Sequence, residues 1–206
     1  MVAEKEKSLI DLTNIIEKCL RCYEEFKDYQ SELRLKFRRC YNRDAWFFPP
    51  SRIDDNGLVK GFLGTGDVVF VCMRPSTGTF PSKADKLFYK LIENNGFQDA
   101  HITDLIKCRL RVKNEKRNEE NEVENCFEYL LKELEIIKKE KENLSLIVAV
   151  GDKAYDYLNE KLPPHYKDKL VKIIHYSYAI RWRKEQDLEK DFKRIRQIYH
   201  ESTISN

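Results

Sequence analysis

The 206-residue chain has 41% hydrophobic and 35% charged residues with only 7 Gly and 6 Pro, which excludes collagenous, low-complexity and largely disordered classes. Its 38 basic and 35 acidic residues nearly cancel to a net charge of +3, so charge alone names no nucleic-acid partner. No apolar run approaches the roughly 20 residues of a membrane helix, and the start lacks a signal-peptide core, so a cytoplasmic protein without membrane association is expected.

The first periodic segment places Leu9, Leu12, Ile15, Ile16 and Leu20 on one face of a helix capped by Ser8 and ending near Cys22. From residue 31 to 66 the signal is poor, with turn chemistry at Phe48-Pro49-Pro50 and Asp54-Asp55-Asn56-Gly57, and a loop-rich insertion is expected. Val68 to Cys72 then reads as a buried strand, and Ser82 to Asn95 as a helix closed by Gly96. Further strands are expected over 100–104, 144–150 and 170–174. Helices are expected over 119–142, 152–160 and about 185–200. This alternation implies one domain over residues 1–206 of α/β class, with a three-layer α/β/α architecture around a central, mostly parallel four-stranded sheet. Such sheets bind ligands at the carboxyl ends of their strands. Here the segments 73–81, 105–109 and 175–181 leave those ends.

Six cysteines in a chain of this kind are better read as core thiols, metal ligands or catalytic groups than as disulfides. Cys19 and Cys22 have the C-x2-C spacing that lets two thiolates reach one metal, while Cys108 follows the second strand and Cys126 lies in the long helix. Four soft ligands would suit a 4Fe-4S cluster or a structural zinc, and the pattern equally allows four unrelated cysteines. Cys72, inside an apolar strand, reads as core, and Cys40 as a partly exposed thiol.

Several blocks in one order resemble the uracil-DNA glycosylase superfamily, and within it the iron-sulfur family 4 enzymes. Lys18-Cys19-Leu20-Arg21-Cys22 resembles their N-terminal cysteine pair, and Val69 to Pro75 occupies the place of a strand ending in Gly-Glu-x-Pro-Gly. Ile102-Thr103-Asp104-Leu105-Ile106-Lys107-Cys108-Arg109 is similar to their Ile-Thr-Asn-x-x-Lys-Cys-Arg. Leu146 to Gly151 resembles a strand ending in Leu-Gly, and His175 to Arg181 resembles the second catalytic motif.

The resemblance implies a DNA glycosylase-like hydrolase of base excision repair, cleaving the N-glycosidic bond of uracil or another altered base. DNA would be the partner, with the target base flipped into a pocket, and the protein would act as a monomer. By the same resemblance Cys19, Cys22, Cys108 and Cys126 would hold the cluster. Phe80 would stack on the base, with Ser76 and Asp104 beside it, and His175 would donate to the departing base. Tyr178 to Arg181 would form a loop entering the minor groove, with Arg181 near phosphate. Arg109, Lys107, Arg111, Lys113, Arg183 and Lys184 would supply further backbone contacts.

Two departures qualify that expectation. Met73 stands where the family has a glutamate, and no acid follows before Asp85, although Ser76 or Thr77 could orient a water. Asp104 stands where the family usually has Asn. An ionised Asp accepts hydrogen bonds without donating, so the pocket would favour a base with an exocyclic amino group, or Asp104 would hold a proton, activate water, or cap its own loop. A catalytically silent nucleic-acid-binding protein on the same fold is the alternative reading.

Overall fold

Five consecutive apolar residues leave no face for water, and Val68–Cys72 accordingly forms a fully buried strand, β1. The computed structural model describes residues 8–17, 19, 21–22, 64–74, 82–107 and 119–204. The elements in chain order are α1 (Leu9–Glu17), β1, α2 (Lys83–Asn94), β2 (His101–Asp104), α3 (Glu119–Glu140) and β3 (Leu146–Val150). They continue with α4 (Asp152–Lys161), α5 (Pro164–Lys167), β4 (Leu170–Ile173), α6 (Tyr176–Arg181) and α7 (Glu185–Ile204). Of the insertion expected over 31–66, only the last three residues lie within the described residues.

The sheet runs β2-β1-β3-β4 and every pairing is parallel, as crossover helices require. Side chains alternate across it. Val68, Phe70 and Cys72 face a layer built from α1, α2, α6 and α7, whereas Val69, Val71 and Met73 face α3 and α4. Phe70 centres the first layer, with its ring 5.7 Å from Phe88, 5.7 Å from Phe97 and 5.8 Å from Phe192.

Local chemistry sets the element ends. Ser82 accepts from the Asp85 N–H while Asp85 accepts from the Ser82 N–H at 2.7 Å, a reciprocal cap at the start of α2. Gly96, at φ +79°, closes α2 as expected, with Phe97 N–H donating to Ile92 at 2.9 Å and Gly96 N–H to Glu93 at 3.1 Å. Five residues beyond Gly96, at the start of β2, His101 is held neutral. Its Nδ1 accepts from Gly64 N–H, its Nε2–H donates to Gly66 O, and burial pushes its pKa down to about 4.

Three differences from the sequence reading have physical causes. The segment 178–181, expected as a loop, lies in α6, because the His175 ring caps the helix start by accepting from Ser177 N–H at 3.1 Å. α5 was absent from the expected elements and is started by Pro164 in the first turn, where a missing N–H costs nothing. The first helix ends at Glu17, before the cysteine pair, so Cys22 lies in a turn beyond it.

Candidate functional site at the carboxyl ends of the strands

All four strands end on one side of the sheet because all are parallel. That side carries Met73 and Arg74 after β1, Leu105 to Lys107 after β2, Gly151 after β3 and His175 after β4. A cleft of about 430 Å³ opens there, lined by residues that include Met73, Gly151, Asp152, His175, Tyr178 and Lys184. His175 therefore stands in a cleft wall.

The local fold gives His175 a defined state. Its Nδ1 accepts the Ser177 N–H, so in the neutral ring the proton sits on Nε2 and Nε2–H is the available donor. Burial holds the imidazole below its ordinary pKa, with the Asp85 carboxylate pulling the other way, and the neutral form is favoured. The ring stacks on Tyr176 at 4.5 Å, and Tyr176 stacks on Phe88 at 4.7 Å. This column of three rings fixes the plane of the imidazole. Gly151 is the opposing surface: at φ +93° it takes a conformation open to glycine, and its N–H donates to Ile173 O at 2.8 Å.

A second group lies deeper. Tyr176 shares a hydrogen bond with Asp85 and another with Cys72, and burial raises the pKa of Tyr176, Cys72 and Tyr89 far above their ordinary values. Asp104 pairs in register with Cys72, and desolvation raises its carboxyl to about 7, against the pull of Lys107 and with a further push from Glu133. Asp104 is not among the cleft-lining residues, and β2 and β4 are opposite edges of the sheet, about 14 Å apart at ordinary strand spacing. The Asp104 side and the His175 side are bridged by the Cys72, Asp85 and Tyr176 cluster.

Lys107 is corrected outright. Sequence reading grouped it with the cations expected to touch phosphate, but it is buried at 2% exposure. Its Nζ donates to Glu133 Oε2 at 2.6 Å and to Thr103 Oγ1 at 2.8 Å, and Thr103 donates to the same carboxylate at 2.9 Å. It is a structural cation linking β2 to α3.

Tyr178 and Lys184 line the cleft and are exposed, as are Arg181 and Arg183 beside them in the chain. Met73 supplies an apolar wall where the resembled motif has an acid. The carboxylate in the lining, among the described residues, is Asp152, which accepts from Lys172 at 2.8 Å. Sequence reading missed it, although its signal, the first residue of a helix leaving a strand end, was present. Phe80, Ser76, Cys108 and Arg109 lie outside the described residues.

Of the remaining cysteines of the expected ligand set, Cys22 meets Cys126 of α3, and Cys19 meets Tyr129 of the same helix. Cys126 is buried, its sulfur accepts from Lys107 N–H at 3.4 Å, and it shares a hydrogen bond with Cys22 that raises its pKa. Asn125 Nδ2 donates to Cys22 Sγ at 3.5 Å, and Cys19 hydrogen-bonds to Tyr129, one helical turn from Cys126. Arg21 pins the intervening turn, donating to Glu128 at 2.7 Å while its guanidinium lies 4.7 Å from the Tyr129 ring centre. Thiols gathered with N–H donors on sulfur are chemically suited to a soft metal group. Among the described residues, however, no set of three His, Cys, Asp or Glu side chains is arranged to hold a metal ion.

No helix among the described residues is long and apolar enough to cross a membrane. No curated protein matches the chain. A family model described as the uracil DNA glycosylase superfamily matches residues 65–200, a span containing the whole parallel sheet and the cleft. With the fold and this match in agreement, the chain belongs to the uracil DNA glycosylase superfamily.

Proposed function

We propose that this protein is a DNA glycosylase acting on uracil or another altered base, with His175 as the donor to the departing base. The observation that carries the reading is the fixed tautomer of a neutral His175 in the cleft wall. Breaking the bond between base and sugar leaves negative charge on the base. A preorganised N–H aimed at that charge stabilises the transition state more than the ground state. A neutral imidazole does this without giving up its proton, and the Tyr176 and Phe88 rings hold it in plane.

Asp104 takes the position of the family's Asn. A carboxyl with a pKa of about 7 is substantially protonated at neutral pH, and a protonated carboxyl donates one hydrogen bond and accepts another, as an amide does. This supports the reading in which Asp104 holds a proton. Phe80 and Ser76, from the segment after β1, complete the base contacts in this proposal, and Arg181 and Arg109 meet phosphate.

Cys19, Cys22, Cys108 and Cys126 are the proposed ligands of a 4Fe-4S cluster, the competing occupant being zinc. Bound there, the group ties α1 to α3 and supplies no redox step to base excision.

A catalytically silent nucleic-acid-binding protein is the second reading, favoured by one observation: Met73 contributes an apolar wall beside His175. Incubation with single- and double-stranded oligonucleotides bearing uracil, hypoxanthine or other altered bases, followed by alkali, separates the two. Strand scission that disappears in His175→Ala supports the glycosylase. Binding without scission across the panel supports the silent binder.

A further inference from the structure

Trp182 is the most exposed large hydrophobic residue described, at 61%, and it is the residue that ends α6. Tyr178, 45% exposed, lies one turn before it with the two ring centres 6.3 Å apart. Lys184 Nζ sits 5.4 Å from the Tyr178 ring centre, and both Tyr178 and Lys184 line the cleft that holds His175. Arg181 and Arg183 precede and follow Trp182 in the chain, both exposed, and neither has an ion-pair partner among the described residues. Two aromatic rings and one cation thus meet at the cleft, with two more exposed cations adjacent in the chain.

The backbone that displays these side chains is specified closely. Lys184 N–H donates to Ala179 O at 2.8 Å and Arg183 N–H to Ile180 O at 3.5 Å, with Arg183 at φ +54°. This is the arrangement that closes α2, where the corresponding residue is Gly96. At α6 the left-handed position carries a long cation. Glu142, at φ +60°, is the other non-glycine residue in that region of backbone space, and it lies beyond α3, at the amino ends of the strands.

We propose that Trp182, with Tyr178, is a stacking platform for an unpaired base of single-stranded DNA adjacent to the nucleotide in the cleft, and that Arg181, Arg183 and Lys184 hold its phosphates. An exposed indole face binds any base by stacking, and nearby cations follow the strand backbone. Duplex DNA covers its base faces, so a flat, solvent-facing ring pair selects a strand whose bases are already open. The inference deepens the glycosylase reading by naming single-stranded DNA as the favoured substrate form, and it rests on that reading only for what the cleft does.

Binding of the full-length protein to an unmodified single-stranded oligothymidylate and to a duplex of equal length, followed by fluorescence anisotropy, tests it without any excisable base. The wild type is expected to bind the single strand more tightly. Trp182→Ala is expected to weaken single-strand binding about tenfold or more, and Trp182→Phe to retain most of it. Because Trp182 is exposed, thermal unfolding of Trp182→Ala should match the wild type. Arg183→Gly is expected to unfold at a higher temperature and yet bind more weakly, with the salt dependence reduced by about one counterion. Unchanged single-strand binding in Trp182→Ala overturns the platform. So does a loss confined to duplexes, which would make the indole a wedge. If Trp182-dependent binding is found with no excision of any base, the glycosylase reading falls and the platform stands. Excision with Trp182-independent binding gives the reverse.

Discussion

A Cβ placed on Gly151 would lie 3.0 Å from Cβ of His175 and 3.4 Å from its Cδ2, so the glycine after β3 and the histidine after β4 are packed at the limit of backbone approach. Gly151 also combines φ +93° with ψ 161°, a region essentially closed to other residues. Gly151→Ala is therefore expected to destabilise the fold by about 1–3 kcal/mol. It should also shift the imidazole and lower base excision more than stability explains. Urea unfolding and single-turnover excision on the same preparation measure the two effects separately.

Asp104 gives a pH signature. A carboxyl whose pKa rises from 3.8 to about 7 on folding disfavours the folded state once the unfolded chain can ionise and the folded one cannot. Below pH 3.8 both states are protonated and the penalty is absent. It grows as pH rises toward 7 and is constant above. Asp104→Asn removes it, so the variant is expected to be more stable than the wild type at pH 8 by up to about 4 kcal/mol. Its advantage should shrink as pH falls toward 4. Paired urea titrations across this range measure the difference, and an advantage that grows on acidification contradicts the assignment.

Lys107 and Glu133 form a buried pair at 2.6 Å, with side chains 1% and 4% exposed. Removing one member strands the other charge. Lys107→Met should cost about 3–5 kcal/mol, whereas the double variant Lys107→Met/Glu133→Leu should recover much of that loss. A double-mutant cycle by chemical unfolding reads this directly. Losses that simply add would mean the two groups are not coupled.

The cysteine assignment is checked by composition. Anaerobically purified protein is expected to contain iron and acid-labile sulfide in equal amounts and to absorb visible light, and Cys22→Ser and Cys126→Ser should lower both contents together. Zinc in place of iron, without visible absorption, selects the structural-zinc alternative. Metal content unchanged in both variants removes these residues from the ligand set.

The strands were legible because runs such as Val68–Cys72 and Leu146–Val150 are apolar at every position, which only a sheet covered on both faces accommodates. The α2 cap was legible from Ser82 and Gly96 for an equally local reason. α6 was not, because six residues are too few to show a helical period and its start is stabilised by a histidine ring, outside the usual capping set. Lys107 read as a surface cation because Arg109, Arg111 and Lys113 follow it. Its burial depends on Glu133, 26 residues away, and on a helix crossing that no local pattern encodes.

The order of the strands, the helices that cross between them and the parallel sheet were therefore determined by sequence alone, since apolar runs and turn residues act over a few neighbouring residues. Tertiary structure alone decided which nitrogen of His175 carries its proton and that Asp104 lies outside the cleft lining. It also decided that Trp182 stands exposed beside Tyr178, which lines the cleft with Lys184. These features depend on desolvation and close approach between distant segments, and such interactions exist only once the sheet has brought its strand ends together.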